Sequence, residues 1–362
     1  MIHLCYNPKL RQTIYSPNFA QCFREQGISA QCHRIGSVRF AELVDALVPK
    51  RVRPRIESLC LTPLWNRQWL NSLRADDIVW IYTNGLIVSR IGRDAALERA
   101  VKSRGARYVF HLPDAWPKQA DLTLRNACDI RVRLADLTAP VTPQLEQHIR
   151  DSYGDVALAT CEEAIDVDAF EPKDLVQDFS KKIVVWTGPA GQKHDVMRLL
   201  PIFEDVYRKV PFTFRIISDT KRPNWDIPIS WEWLPFPGEQ LGKGYQDALV
   251  AVAYYSNRET YGHCKGNYKI KTHMAAGKAI VTSPVGYNQM LIADGVNGLL
   301  ASSHEEWVNA LCRVLTDEAL AKRLGKAARD DAVTRFSYIP IARQYIQTLD
   351  RFFPREMEKA RG

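Results

Sequence analysis

Four lysines and three glycine-bearing turns in the second half of the chain have the most chemistry to offer. Lys193, Lys265, Lys269 and Lys271 lie near Gly188-Pro189-Ala190-Gly191, Pro237-Gly238 and Pro284-Val285-Gly286-Tyr287 in sequence. Glycine lets a backbone approach a phosphate closely, and the unpaired N–H groups that open a helix attract its charge. Ammonium groups beside such turns would add to that attraction for a phosphate. A single turn of this kind is more often a plain strand-to-helix connection, but three in one array, with lysines beside them, point to an anion site.

The familiar nucleotide signatures are absent. No GxxxxGK[ST] occurs, and no GxGxxG follows a strand-like run. Asp166-Val167-Asp168 raises the alternative of a metal-bridged diphosphate, but it falls in an acidic, turn-rich segment rather than after a strand, and reads as a hinge turn. No His or Cys spacing supports zinc, and no metal or cofactor is expected.

The elements that must position these residues are strands alternating with helices. Strand-like runs are IHLCY (2–6), DIVWIY (77–82) and RYVFHL (107–112), then KIVVWTG (182–188), FTFRIIS (212–218), ISWEWL (229–234), ALVAVAYY (248–255) and KAIVTSP (278–284). Several are apolar on both faces, as in a parallel sheet covered by helices. DIRVRLAD (129–136) alternates and reads as a further strand presenting Arg131 and Arg133. SHEEWVNAL opens with a Ser303-x-x-Glu306 capping box. Further helices are expected from about Asp317 and over IPIARQYIQTLDRFF. The segment CEEAIDVDAFEPKDLVQDFSKK (161–182) separates two β-α-β arrays, giving an α/β protein of two domains.

Bulk properties narrow the class. The chain has 362 residues, 46% hydrophobic and 25% charged, which is the balance of a globular protein. No apolar run is long enough to cross a bilayer, the start has no signal-peptide layout, and eight cysteines are scattered without a CxxC pair. A reduced, cytoplasmic protein is expected, with peripheral association at the inner face of a membrane as a further possibility. Residues 1–150 hold 22 Lys and Arg against 13 Asp and Glu, whereas residues 151–175 hold one basic residue against eight acidic. A basic first half favours an anionic partner. Lys50, Arg51, Arg53 and Arg55 form its densest cluster, which suits an anionic membrane surface or nucleic acid when it is not simply a solvated loop.

CKGNYKIKTHMAAGKAIVTSPVGYNQMLIADGVNGLLASSHEEWVNAL resembles the donor domain of retaining nucleotide-sugar glycosyltransferases with the GT-B fold, the group 1 transferases close to glycosyltransferase family four. LGKAARDDAVTRFSY and AIDVDAFEP fit the same family's closing helix and interdomain crossing. The likeness covers residues 160–345 well and the first half by topology only. It implies two Rossmann-like domains facing across a cleft: an acceptor-side domain over 1–165, a nucleotide-sugar domain over 176–335, and a C-terminal helix over 336–362 that crosses back. It further implies sugar transfer with retention, from a nucleotide-diphospho-sugar and without a metal.

On that resemblance Lys193 and Lys269 reach the diphosphate from opposite sides. Gly188, Lys265, Gly286, Tyr287 and Asn288 belong to the donor site. A glutamate pair found in many relatives falls on Cys264 and Thr272, and a further glutamate on Met290. Thr272 is left to bind a ribose hydroxyl, with Glu259 as a substitute acid. These departures put the donor sugar in doubt more than the fold. His111 and Asp114, in RYVFHLPDAWPK, are the polar groups expected where the acceptor-side strand ends, as catalytic candidates. The acceptor expected first is a lipid-linked or membrane-proximal glycan. A nucleic-acid base is the alternative, and a non-catalytic nucleotide-sugar-binding module is a third reading.

Overall fold

A computed structural model describes residues 1–6, 17–34, 67–82, 95–115, 122–218, 222, 224–236, 238–255 and 260–362. They form two compact units. The first comprises Met1–Glu163, His263–Gly266 and Tyr338–Gly362, and the second Ala164–Gly262 and Asn267–Ser337. Lys50, Arg51, Arg53, Arg55 and Glu259 lie outside the described residues.

The first unit is built on β1 (Ile2–Tyr6), α1 (Pro17–Glu25), β2 (Ala30–Arg34), α2 (Arg67–Ser72), β3 (Ile78–Tyr82), α3 (Ala96–Lys102), β4 (Arg107–Leu112), α4 (Leu122–Leu134), β5 (Leu137–Pro140) and α5 (Pro143–Tyr153). The strands make one parallel sheet in the order β2-β1-β3-β4-β5. Every residue of β3 is buried, because helices cover both faces.

The strand expected over DIRVRLAD is instead the C-terminal part of α4. Arg131 does not face a ligand: it is 3% exposed, and its Nε donates to Glu98 Oε1 of α3 at 2.6 Å. Ala127, Cys128, Arg131 and Val132 are all buried, which is a helical recurrence. The i, i+2 spacing of the two arginines spans only three residues, and the helix buries Arg131 while leaving Arg133 exposed. Strands β2 and β5 were not anticipated, since AQCHR and LTAP lack a long apolar run.

The second unit contains β6 (Ile183–Thr187), α6 (Lys193–Lys209), β7 (Thr213–Ser218), β8 (Trp231–Pro235), β9 (Ala248–Ala253), α7 (Tyr268–Ala275), β10 (Ala279–Thr282), α8 (Asn288–Leu291), β11 (Leu299–Leu300), α9 (His304–Thr316) and α10 (Glu318–Asp331). Its parallel sheet runs β11-β10-β9-β6-β7-β8. From β6 the chain builds outward through β7 and β8, then returns to the other side of β6 as β9. The switch point therefore lies between β6 and β9, where open α/β sheets bind ligands beyond the strands' carboxyl ends.

Two sequence signals are realised as hydrogen bonds. Ser303 Oγ accepts from Glu306 N at 3.2 Å while Glu306 Oε2 accepts from Ser303 N at 3.1 Å, closing the box that starts α9. Helix α7 ends in Met274-Ala275-Ala276, all fully buried, and Gly277 takes φ +63. A left-handed residue there is a common helix stop, and glycine has no Cβ penalty. Asp166 Oδ1 accepts from the N–H groups of Asp168 and Ala169, so the Asp-x-Asp segment is a local turn.

The chain then returns to the first unit as α11 (Tyr338–Phe352) and α12 (Pro354–Arg361). Tyr345 stacks on Trp80 of β3 at 4.3 Å between ring centres. Glu356 accepts from Arg107 Nε at 2.6 Å, and Ala360 O accepts from Ser29 N at 2.8 Å.

Candidate functional site

In the second unit the site begins where β6 ends. Gly188 N–H donates to Ile217 O at 3.0 Å, which fixes the turn against β7. A Cβ at Gly188 would stand 2.7 Å from a ring carbon of Trp186 and 2.9 Å from Gln192 Oε1, so a side chain there must displace those two groups. A short 3-10 turn, Ala190–Gln192, leads into α6, whose first residue is the exposed Lys193. The unpaired N–H groups of that helix start add to the lysine's attraction for an anion.

Lys269 arrives from the other side, in the first turn of α7. Its ammonium lies 4.6 Å from the centre of the Trp186 ring, and its Nζ donates to Gln192 Oε1 at 3.1 Å. Lys269 is half-buried and Trp186 wholly buried, so the cation rests on an apolar floor with one polar neighbour from the glycine turn. The structure thus brings Gly188, Gln192, Lys193 and Lys269 together beside the β6/β9 switch point.

Behind Lys269, one helical turn on, His273 is fully buried and shares a 2.8 Å hydrogen bond between its Nδ1 and the Tyr245 hydroxyl. Burial, reinforced by the Lys269 charge, lowers the His273 pKa to about 3. The ring is neutral near pH 7 and leaves the positive potential at this end of α7 to the lysine. Asn267, the residue before α7, adopts φ +52. It is 5% exposed, and neither its Oδ1 nor its Nδ2 has a hydrogen-bond partner among the described residues.

Other expected donor residues divide. Gly286 takes φ +56, the left-handed value a glycine turn permits. Tyr287 is 2% exposed, and Asn288 is engaged internally: its Nδ2 donates to Thr282 Oγ1 and Ser283 O, and its N–H to Val285 O. The Asn288 amide nitrogen is therefore committed to the loop itself, while its Oδ1 has no hydrogen-bond partner among the described residues. Thr272 does not offer its hydroxyl to a ribose, because Oγ1 donates to Tyr268 O at 2.9 Å and the residue is 1% exposed. A helix threonine back-bonded in this way is a packing residue.

Lys265, expected with the donor residues, groups with the first unit. There Gly266 N–H donates to the Asp114 carboxylate, at the carboxyl end of β4, and the Lys265 charge acts on that carboxylate. Burial raises the Asp114 pKa, against the lowering effect of Lys265 and of the Gly266 N–H. Gly266 is hemmed in as well: a Cβ would stand 2.8 Å from Val141 Cγ2 and 2.9 Å from Glu163 Oε2. Glu163 is itself buried and accepts the Tyr82 hydroxyl at 2.5 Å.

His111 is a core histidine. It is fully buried, with Nε2 facing Cys161 O at 3.0 Å and Nδ1 facing the Tyr345 hydroxyl at 3.4 Å. A carbonyl requires a donor, so Nε2 carries the proton. The Tyr345 hydroxyl donates to Glu162 O at 2.9 Å. Trp80, Tyr82 and Tyr345 surround the ring edge-on. Of the two catalytic candidates in the first unit, Asp114 is half-buried at a strand end and His111 is enclosed. Among the described residues no group of three His, Cys, Asp or Glu side chains is placed to hold a metal ion.

Trp186, Gln192 and Asn267 were not singled out from sequence. Trp186 sits in an apolar strand, and Gln192 only adjoins Lys193. Their relation to Lys269 spans about 80 residues of chain and leaves no local pattern.

Comparison with known proteins bears on these same elements. Residues 181–317, which include the glycine turn, α6, α7 and the Gly286 loop, match the family described as glycosyl transferases group 1. A D-inositol 3-phosphate glycosyltransferase of Corynebacterium aurimucosum is 34% identical over 113 residues, which is 30% of this chain and 25% of that protein. The likeness thus spans about a quarter of the relative's length. Two solved structures are similar over nearly the whole chain. HepE of Anabaena, in complex with UDP and glucose, aligns over 97% of this chain and 100% of its own, with a TM-score of 0.64 and 15% identity. A sucrose-phosphate synthase of Thermosynechococcus elongatus aligns over 98% and 100%, with a TM-score of 0.67 and 14% identity. The fold is GT-B. Both units are parallel-sheet α/β domains, and the stretch matched by the group 1 family is the one that carries Gly188, Lys193 and Lys269.

Proposed function

We propose that the chain is a glycosyltransferase that moves a sugar from a nucleoside-diphospho-sugar to an acceptor. The observation that carries this reading is the Lys269 ammonium on Trp186 and Gln192, beside the Gly188 turn and the start of α6. A departing nucleoside diphosphate gains negative charge as the glycosidic bond breaks. Fixed cations and helix N–H groups aimed at that charge stabilise the transition state more than the ground state. Lys193 and Lys269 take the role a divalent ion has elsewhere, and transfer proceeds without metal and with retention, as in the transferases that the second-half motifs resemble.

The acceptor binds the first unit, where Asp114 and Lys265 lie at the carboxyl end of β4. Asp114 accepts the proton of the attacking hydroxyl, and Lys265 with the Gly266 N–H stabilises the carboxylate form until then. A lipid-linked or otherwise membrane-proximal anionic acceptor suits the basic surplus of residues 1–150. Among the described residues no helix is long and apolar enough to cross a membrane. Support for an anionic acceptor also comes from the C. aurimucosum relative, whose name gives it an inositol phosphate.

The donor reading is tested by a thermal-shift panel of UDP, GDP, ADP and their sugars. A true donor raises the midpoint by binding the native state, and the sugar that does so is then followed for release and transfer. A panel with no shift at millimolar concentrations would contradict the reading. Anionic vesicles and DNA, titrated with salt, separate a membrane-proximal acceptor from a nucleic-acid one.

A further inference from the structure

Among the described residues of the second unit, the buried asparagines are Asn267, Asn288 and Asn297. Asn297 is fully engaged: Oδ1 accepts from Ala293 N at 2.8 Å, and Nδ2 donates to Leu291 O and to Asp331 Oδ2. Asn288 commits its Nδ2 to Thr282 and Ser283. Asn267 alone of the three leaves both side-chain atoms without a partner among the described residues, although it is 5% exposed. A buried carboxamide with nothing to bond is costly, and a glycine or alanine there would avoid that cost.

Local folding does not account for the side chain. Asn267 stands immediately before α7, and its carbonyl starts the helix by accepting from Ile270 N at 2.9 Å and Lys271 N at 3.3 Å. An asparagine in that place usually caps the helix with its side chain, from an extended backbone. Here the backbone is left-handed, at φ +52 and ψ +39, and no capping bond forms. Asparagine tolerates that region better than most residues, but glycine adopts it freely and has no amide to bury. A disfavoured backbone and a desolvated amide at one position mark a group held ready for a ligand.

The chemistry of the amide narrows the ligand. A carboxamide presents two N–H donors and an acceptor oxygen side by side. An anion would use only the N–H groups, and a cation only the oxygen. Two adjacent hydroxyls use both, because each of them donates and accepts. In the proposed donor site Lys269, two positions on in the same helix, meets the diphosphate. We propose that Asn267 binds a vicinal diol of the nucleoside-diphospho-sugar, Oδ1 accepting from one hydroxyl and Nδ2 donating to its neighbour. The ribose and a hexose both offer such a pair, one on either side of the diphosphate. The inference rests on the reading of Lys269 as a donor residue.

The test compares wild type with Asn267→Gly, which suits the left-handed backbone and should melt within a few degrees of wild type. Both are titrated by calorimetry with whichever of UDP, GDP and ADP raises the wild-type midpoint. The same diphosphate lacking both ribose hydroxyls, and its tightest-binding sugar conjugate, are titrated alongside. If the sugar supplies the diol, Asn267→Gly weakens the conjugate by about tenfold and leaves the other two ligands within about twofold. If the ribose supplies it, conjugate and diphosphate both weaken by about tenfold, and the form without ribose hydroxyls does not. Unchanged affinity for all three would mean that the amide holds only water, and would overturn the proposal while leaving the donor site standing. Equal losses for all three, or a midpoint lowered by more than a few degrees, would make Asn267 a residue of the helix start alone and overturn it too. If wild type binds none of UDP, GDP and ADP, the donor reading itself fails and takes this one with it.

Discussion

Lys269 and Trp186 are 83 positions apart in the chain, yet the ammonium of one lies 4.6 Å from the ring centre of the other. The tryptophan is the penultimate residue of a buried strand and the lysine the second residue of a helix. The cation is set on an aromatic floor and bonded to the Gln192 amide oxygen, both of which come from the strand and turn that lead into α6.

Gly188 makes the arrangement possible. Alanine there would drive Cβ to 2.7 Å from Trp186 and 2.9 Å from Gln192 Oε1, displacing the two groups that hold Lys269. Gly188→Ala should remain folded but weaken nucleoside diphosphate binding by roughly fivefold or more, equivalent to about 1 kcal/mol. Titration calorimetry against UDP or the donor base found by melting checks this. An unaltered affinity would mean that the turn and Lys269 act independently.

Much of this was legible in sequence, for reasons that differ by element. Runs such as ALVAVA declare themselves because both faces are covered, and the Ser303–Glu306 box is entirely local. Gly286 and Gly277 mark turns through φ values few other residues adopt. What was not legible depends on distant partners. His111 reads as a strand-end ligand until Tyr345, 234 positions later, closes over it. Arg131 reads as exposed until Glu98 is found beside it on another helix. Thr272 occupies a position that relatives fill with an acid, but its own helix carbonyl claims its hydroxyl.

Acid stability should report the buried imidazoles. Burial, with the Lys269 charge second, lowers His273 to about 3; burial, with His3 second, lowers His33 to about 4. A depressed folded pKa means the unfolded chain binds the proton first. The stability these groups contribute is complete above pH 6.5. It declines as pH falls, down to about 4 for His33 and about 3 for His273. Each unit of depression is worth about 1.4 kcal/mol at most. Melting followed by circular dichroism from pH 7 to 3.5 should show this decline, and His273→Gln should flatten it. A variant with the wild-type slope would show that His273 is already charged in the fold.

Lys278 gives the opposite end of the pH range. It is fully buried, donates from Nζ to Val176 O at 2.7 Å, and burial lowers its pKa from 10.5 to about 7 despite Asp247 and Asp174. Here too the unfolded chain binds the proton more tightly. The stabilising contribution is therefore complete above pH 10.5 and lost as pH falls towards 7. Wild type should gain stability between pH 7 and 10 relative to Lys278→Met, read from urea midpoints. Parallel profiles would place a compensating charge next to the ammonium.

The account as a whole stands on Lys269 at a departing diphosphate. Losing a charge-assisted contact there costs roughly 1.5–3 kcal/mol, so Lys269→Ala should lower turnover at saturating donor by about tenfold or more while its melting midpoint stays within a few degrees of wild type. The rate of sugar release and transfer from the nucleotide sugar that stabilises wild type is the quantity to follow, with donor concentration raised until the rate no longer depends on it. A large fall in that limiting rate is the expected result. A Lys269→Ala protein that turns over at the wild-type rate would remove the lysine from the chemistry and the diphosphate from this site.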